Sequence, residues 1–350
     1  MKKNLFFAAL ALLAAVSCQK TNLSQTATGE LIVQLGEEPA TKAADLSMDE
    51  YKINSVQLFV FSSNGQLETD VYKTEAANSY SLTTGIGNKV VYAIVNAPRL
   101  KYTSQQALVE GLSNLSENTV NNLVMSGSAP VQVNEYKAGS TTPAKCTVPV
   151  KRLVSAIQLA TVATSFAGST LEGSTFTIKE IYVKNVVGKA PYGASAVLTE
   201  DQKKDAGNWY NKLKLDTTPL TVTYDAFDPG LAVTAAKPLD VNHTLYVYPN
   251  ASTADNGSAT TFTPRPTRLV IHAAISTSAS HYDKPFEKKD YYYTFDLPAL
   301  EANKKYKVNV VISMLGKTTD TDDTKTTAGM AQPSITVQPW DQTIELNYQY

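Results

Sequence analysis

Cysteine and histidine are scarce, with two and three in 350 residues. His243, His272 and His281 stand at no ligand spacing and no Cys-x-x-Cys pair occurs, so the usual zinc patterns are excluded. Cys18 and Cys146 are the only cysteines. With Cys18 at the end of an N-terminal signal, no intrachain disulfide is expected and stability must come from core burial. Cys146 alternates with Val148 and Val150, which fits a small buried strand residue better than a reactive thiol. Charge of one sign is also lacking, since 31 basic residues face 32 acidic ones. No net field draws nucleic acid or an anionic membrane surface. Neither a Gly-x-Ser-x-Gly elbow nor a phosphate-binding glycine loop is present. Asp320, Asp322 and Asp323 lack the glycine and distal glutamate of a calcium loop, which favours a solvated turn. The chain therefore reads as non-enzymatic, without metal or cofactor.

Long apolar runs are missing as well. Leu5 to Val16, behind Lys2 and Lys3, is too short to span a bilayer, so residues 1–17 read as an export signal. It closes on Leu13-Ala14-Ala15-Val16-Ser17-Cys18, which resembles the lipobox of bacterial lipoproteins, with Cys18 as the lipidated first residue. An ordinary secretory signal with an incidental cysteine is the alternative.

What is abundant is strand former. Nineteen tyrosines, with many threonines and valines in period-2 alternation, mark an all-β chain. The clearest runs are 52–61, 89–95, 155–161, 176–183, 244–248, 268–275, 291–297 and 306–313. Asn64-Gly65, Gly85-Ile86-Gly87, Asp228-Pro229-Gly230 and Asn256-Gly257 are expected turns between strands. One helix is expected, opened by a capping box at Thr103-Ser104-Gln105-Gln106 and continued by Ala107, Leu108, Leu112 and Leu115. Trp209, Tyr210, Tyr246, Tyr248 and Tyr291 to Tyr293 invite comparison with a sugar-stacking platform. Tyrosine is common in any strand, however, and alternation places Tyr292 opposite its neighbours.

A faint echo runs through the chain. Residues 30–35, a polar connector and residues 52–58 parallel residues 155–159, a similar connector and residues 177–183. Each half opens strand, connector, strand, which places a boundary near 149–152. The first connector, Gly36 to Asp45, is polar, carries Pro39 and surrounds Lys42 with small residues, as protease-accessible loops do. Cleavage between Lys42 and Ala43 would leave the strand bearing Leu31, Val33 and Leu35 held by hydrogen bonds and packing alone. Local chemistry by itself favours a solvated lysine. At the other end, Ile344, Leu346, Tyr348 and Tyr350 share one strand face, with Glu345, Asn347 and Gln349 on the other. Such a strand either completes its own sheet or fills a groove in a neighbour.

The lipobox, the basic connector, strand 51–61, Lys89 to Asn96, the Leu123-Val124-Met125-Ser126 turn, Val150-Lys151-Arg152 and Lys304 to Val310 together resemble the FimA-type major fimbrillins, the type V pilins of Bacteroidota. The resemblance runs in order over most of the chain, apart from 190–265. It implies two transthyretin-like β-sandwich domains, with one short helix in the first. Their division would be a signal peptide 1–17, a propeptide 18–42, an N-terminal domain 43–150 and a C-terminal domain 151–350 ending in a donor strand from about 334. It also implies an outer-membrane lipoprotein precursor, membrane-bound only through its lipid, that is cut by a trypsin-like protease. The mature form would polymerise with identical subunits in surface fimbriae, using a tail that includes Ile335, Val337, Trp340, Ile344, Leu346, Tyr348 and Tyr350. Anchor and tip subunits and an adhesion receptor complete the implied partners. The family usually has Arg where Lys42 stands. A tip or anchor subunit and a surface glycan-binding lipoprotein are the alternatives.

Overall fold

Short alternating segments bounded by turn residues bury one face each, and here they assemble into paired sheets. The computed structural model describes residues 27–36, 50, 52–77, 79–139, 141–193, 197–210, 220–233, 238–253, 263–277, 289–320 and 331–339. The first group comprises β1 (Thr28–Gly36), β2 (Val56–Ser62), β3 (Leu67–Lys73), β4 (Tyr80–Gly85), β5 (Gly87–Val95), helix α1 (Gln105–Glu110), β6 (Leu112–Asn114), β7 (Met125–Val133), β8 (Ala144–Pro149) and β9 (Lys151–Arg152). A sheet of order β4-β1-β8 faces one of order β3-β2-β5-β7-β9. Between them lies an apolar cluster that includes Leu31, Val33, Leu58, Val60, Leu82, Val91, Ala93, Cys146 and Val148. Burial raises the Cys146 thiol's pKa, so it is an inert core side chain.

The second group follows the same plan. It contains β10 (Ser155–Thr164), β11 (Thr175–Lys184), β12 (Val186–Val187), β13 (Lys189–Pro191), α2 (Glu200–Lys204), β14 (Trp209–Tyr210), β15 (Tyr224–Val233), β16 (Leu239–Val247), β17 (Arg268–Ser276), β18 (Lys289–Asp296), β19 (Lys304–Ile312) and β20 (Ala331–Pro339). Its sheets run β16-β10-β19-β20 and β15-β11-β17-β18. β10 is antiparallel to β16 and parallel to β19, as β1 is to β4 and β8. β11 lies between β15 and β17 as β2 lies between β3 and β5. The echo in the sequence is thus a shared strand order, to which the second group adds the edge strand β20.

The two sandwiches are joined by an apolar and hydrogen-bonded seam. Phe59, Phe61, Leu108, Leu115 and Val124 belong to the cluster that fills the second sandwich. β6 pairs with β13, and the Tyr248 hydroxyl lies 2.6 Å from Ser113 Oγ and 3.1 Å from Asn118 Nδ2. The Tyr246 hydroxyl donates to the buried Glu50 carboxylate at 2.6 Å. Arg152 donates through Nε and Nη2 to the Glu50 carbonyl.

Several expectations need correction. Ser104, rather than Thr103, caps α1 by accepting from Ala107 N at 3.2 Å, while Gln106 bonds Glu110. The helix stops at Glu110, and Leu112 enters β6. Met125 and Ser126 open β7 where a turn was expected. Asp228-Pro229-Gly230 is a bulge within the edge strand β15, whose register shifts opposite Lys179. An edge tolerates a proline and a bulge that a central strand would not, and Gly230 takes the positive φ of 97° that the bulge needs. The aromatic platform fails: Trp209, Tyr246, Tyr248, Tyr291 and Tyr293 are buried. Asn256-Gly257 lies outside the described residues.

On the outer face of the β15-β11-β17-β18 sheet, Asp320 accepts from Tyr182 Oη at 2.5 Å and pairs with the buried Lys184 Nζ at 2.8 Å. With the backbone pairing of Lys317 to Tyr292, this pins the chain between β19 and β20 to that sheet. Nearby, His272 Nδ1 meets Glu180 Oε2 at 2.7 Å, and Nε2 lies 3.4 Å from Asp290. Its ring stacks on Tyr292 with centroids 4.5 Å apart. Burial opposes charge on the imidazole, but the hydrogen bond and charge of Glu180, with Asp290, raise its pKa. The His272 hydrogen bond lowers that of Glu180. A raised histidine stabilises fully below its unfolded value of about 6.5, and the contribution fades as pH rises through the folded value. The depressed Glu180 contributes above its unfolded value of about 4.3, and that contribution is lost as pH falls through its folded value. Denaturant midpoints between pH 6 and 9 test this: wild type should lose stability as pH rises, and His272→Gln should flatten that slope.

Candidate functional site

A strand in the middle of a sheet is ordinarily its most secure member, and β1 is the middle strand of the smaller sheet. Thr28 to Val33 pair antiparallel with Gly85 to Tyr80 on β4. Leu31 to Gly36 pair parallel with Ala144 to Pro149 on β8. Its ends are tied by backbone alone: the Ala27 carbonyl accepts from Ile86 N, that of Thr28 from Tyr136 N, and that of Gly36 from Val150 N at 2.9 Å. Leu31 and Val33 are fully buried, and the half-buried Leu35 packs against the same cluster. Glu30 and Gln34 alternate to the outer face.

Among the described residues, no side-chain hydrogen bond or ion pair holds β1. What retains it is generic: a ladder of amides and carbonyls, and an alternating apolar edge worth roughly 1.5 to 3 kcal/mol for each fully buried Leu or Val. Any strand of like length and alternation meets the same requirements. One position is particular. A Cβ added to Gly29 would lie 2.2 Å from the Asn134 carbonyl oxygen and 2.5 Å from Val133 Cγ1, so β7 closes over this register.

Without β1, β4 and β8 would face each other across an unfilled slot. Its floor would be the apolar side chains that now meet Leu31 and Val33 across the sandwich. The structure brings Leu31, Val33 and Leu35 together on one face of β1. Sequence reasoning missed the walls: the Tyr80–Gly85 strand and the parallel partner Ala144–Pro149. Alternation through Cys146 and Val148 marked the latter as a strand, but alternation names no partner. Gly29, too, gave no signal, because only a three-dimensional approach makes it necessary.

The remaining sites divide. Ile335 sits in β20, half-buried against the second core. β20 pairs with β19 from Ala331 opposite Ile312 to Pro339 opposite Lys304. Val337 lies in that strand; its side chain is outside the described residues. Cys18, Lys42, Ala43, Trp340, Ile344, Leu346, Tyr348 and Tyr350 are also outside them.

Comparison with known proteins agrees with this architecture. Residues 27–151, which span the whole β1 slot, match the family described as Major fimbrial subunit protein (FimA). The fold is similar to that of a fimbrilin (fimA) from Porphyromonas gingivalis W83, with a TM-score of 0.61 at 13% identity over 90% of this chain and 98% of that one. It is likewise similar to a candidate cell adhesion protein from Parabacteroides distasonis, with a TM-score of 0.68 and 16% identity over 90% of this chain and 99% of the other. A further candidate cell adhesion protein, from Bacteroides eggerthii, gives 0.62 and 20% identity over 90% and 96%. No curated protein matches the chain in sequence.

The close approach at Gly29 gives a direct test of how β1 is held. Gly29→Val should strain only the β1 slot, at an overpacking cost of about 1 to 3 kcal/mol. Amide hydrogen exchange in 28–36 should accelerate roughly five- to hundredfold, whereas β10 should keep its protection. Equal acceleration in both strands would mean that β1 does not open independently.

Proposed function

We propose that this chain is the structural stalk subunit of a surface fimbria, built by replacing β1 with the tail of a second copy. The observation that carries this reading is the placement of β1: a central, buried strand retained only by interactions that another strand can reproduce. The chain would be exported as a lipoprotein through Cys18 and divided as 18–42, 43–150 and 151–350. Cutting between Lys42 and Ala43 would sever β1 from β2, so that β1 and the lipid leave together.

β20 already occupies an edge of its own second sandwich, so the donor segment in this reading begins at Trp340 rather than 334. Residues 340–350 reach roughly 36 Å when extended at about 3.3 Å per residue, enough for the nine-residue slot of β1. Ile344, Leu346, Tyr348 and Tyr350 would contribute roughly 6 to 12 kcal/mol gross on burial. Backbone hydrogen bonds add about 0.5 to 1.5 kcal/mol apiece. Ordering the tail and losing translational freedom subtract several kcal/mol. If Ile344, Leu346 and Tyr348 take the places of Leu31, Val33 and Leu35 in parallel, Gln342 meets the narrow register of Gly29. The Val133–Asn134 end of β7 must then yield, or the donor must end short of it. The partners are identical subunits along the stalk, other fimbrial subunits at its ends, and a maturation protease that accepts lysine.

Protein sequencing of surface-released material decides the maturation step, with a start at Ala43 expected and an uncut start at Cys18 contradicting it. Lys42→Ala should trap the lipidated precursor. Deleting 344–350 should leave export and thermal stability close to wild type while abolishing heat-resistant ladders on denaturing gels. Ladders that persist after this deletion would rule out the tail as donor.

A further inference from the structure

A cavity of about 530 Å³ opens in the second sandwich, on the side where it meets the first. Its walls include Val187, Leu198, Trp209 and Leu300, all buried, and Val197 stands at the mouth, 74% exposed. Lys189, Lys203, Glu200 and Glu301 also line it, with Lys203 Nζ paired to Glu200 at 2.8 Å. The Trp209 ring is fixed by its Nε1–H, which donates to the Lys203 carbonyl at 2.9 Å. Leu300 is fixed by a pair of backbone bonds with Asn250, at 2.8 and 3.0 Å. An apolar floor with a charged rim and this volume suits one or two large apolar side chains on a peptide.

The path of the chain supplies the occupant. β20 runs antiparallel to β19 and finishes with Pro339 opposite Lys304. Glu301 and Ala302, the second and third residues before Lys304, line the cavity. The chain therefore leaves β20 beside the opening, and the next residue in sequence is Trp340, a large apolar side chain. A tether this short gives an effective concentration in the millimolar range, far above that of a neighbour's tail in solution.

We propose that this cavity is the resting dock of the chain's own Trp340, which holds the tail on its own subunit until a neighbour's slot takes it. The inference deepens the stalk-subunit reading and rests on it for its purpose, though not for its geometry. A docked tail is kept from pairing its backbone with other copies too early, and exchange then releases Trp340 from one apolar site while Ile344 to Tyr350 enter another.

The test uses the full chain carrying Val197→Cys together with Asp341→Cys, which leaves Trp340 in place and changes an exposed residue at the mouth. Mild oxidation of the monomer and peptide mass mapping should find a disulfide within one chain. Its absence, or a bond only between chains, overturns the dock. Val197→Glu offers a second readout, because a carboxylate at the mouth should weaken docking and speed ladder formation several-fold. Unchanged or slower growth with intact folding counts against the proposal. If instead the intrachain bond forms but deletion of 344–350 leaves ladders intact, the dock stands and the donor role falls.

Discussion

Two rows of backbone amides and carbonyls, one on β4 and one on β8, can be satisfied only by a strand lying between them. Unpaired polar groups facing an apolar floor cost about as much as the hydrogen bonds they fail to make. The first sandwich is therefore complete or open, with little between. This constraint governs the rest: it makes β1 indispensable as a filler, by backbone and apolar surface more than by any specific side chain. Leu31 and Val33 supply shape and apolar surface, and nothing in their surroundings recognises them as side chains of their own chain.

An open slot is tolerable only if the remainder stays folded, and the distribution of apolar contacts favours that. Leu31 and Val33 belong to a compact cluster confined to the first sandwich. The outer face of β2, through Phe59 and Phe61, belongs instead to the continuous cluster that fills the second. Loss of β1 would thus open one core while leaving the five-stranded sheet anchored to the other by its opposite face. Glu50, held by Tyr246 and Arg152, fixes the chain just ahead of β2. Disturbance upstream of that point has no covalent path into β2 that bypasses this buried anchor.

The all-β class, the principal strands and the shared apolar face of Leu31, Val33 and Leu35 were legible in the sequence because period-2 alternation is a local signal. β3, with its sequence Leu67-Glu68-Thr69-Asp70-Val71-Tyr72-Lys73, was not, since an edge strand half-exposed along its length lacks a strong apolar face. Asp228-Pro229-Gly230 misled because the same residues serve a reversal or a bulge, and only the register opposite Lys179 decides between them. The Trp209 cavity was illegible for another reason. Its walls come from segments more than a hundred residues apart, and what makes it relevant to Trp340 is the register of β20 on β19.

The second sandwich serves as an internal control on the first. β10 occupies the place of β1, antiparallel to one neighbour and parallel to the other. Yet β10 is secured by side chains, with Ser155 Oγ donating to the Glu301 carbonyl and Thr161 Oγ1 to Asn309 Oδ1, both at 2.7 Å. It also follows directly from β9, so removing it would require breaking the chain at the seam between the sandwiches. Among the described residues, β1 has no such side-chain ties. It is joined to β2 by a connector that carries a basic residue among small ones. The same topological slot is thus held once by side chains as well as backbone and once, among the described residues, by backbone and apolar packing alone.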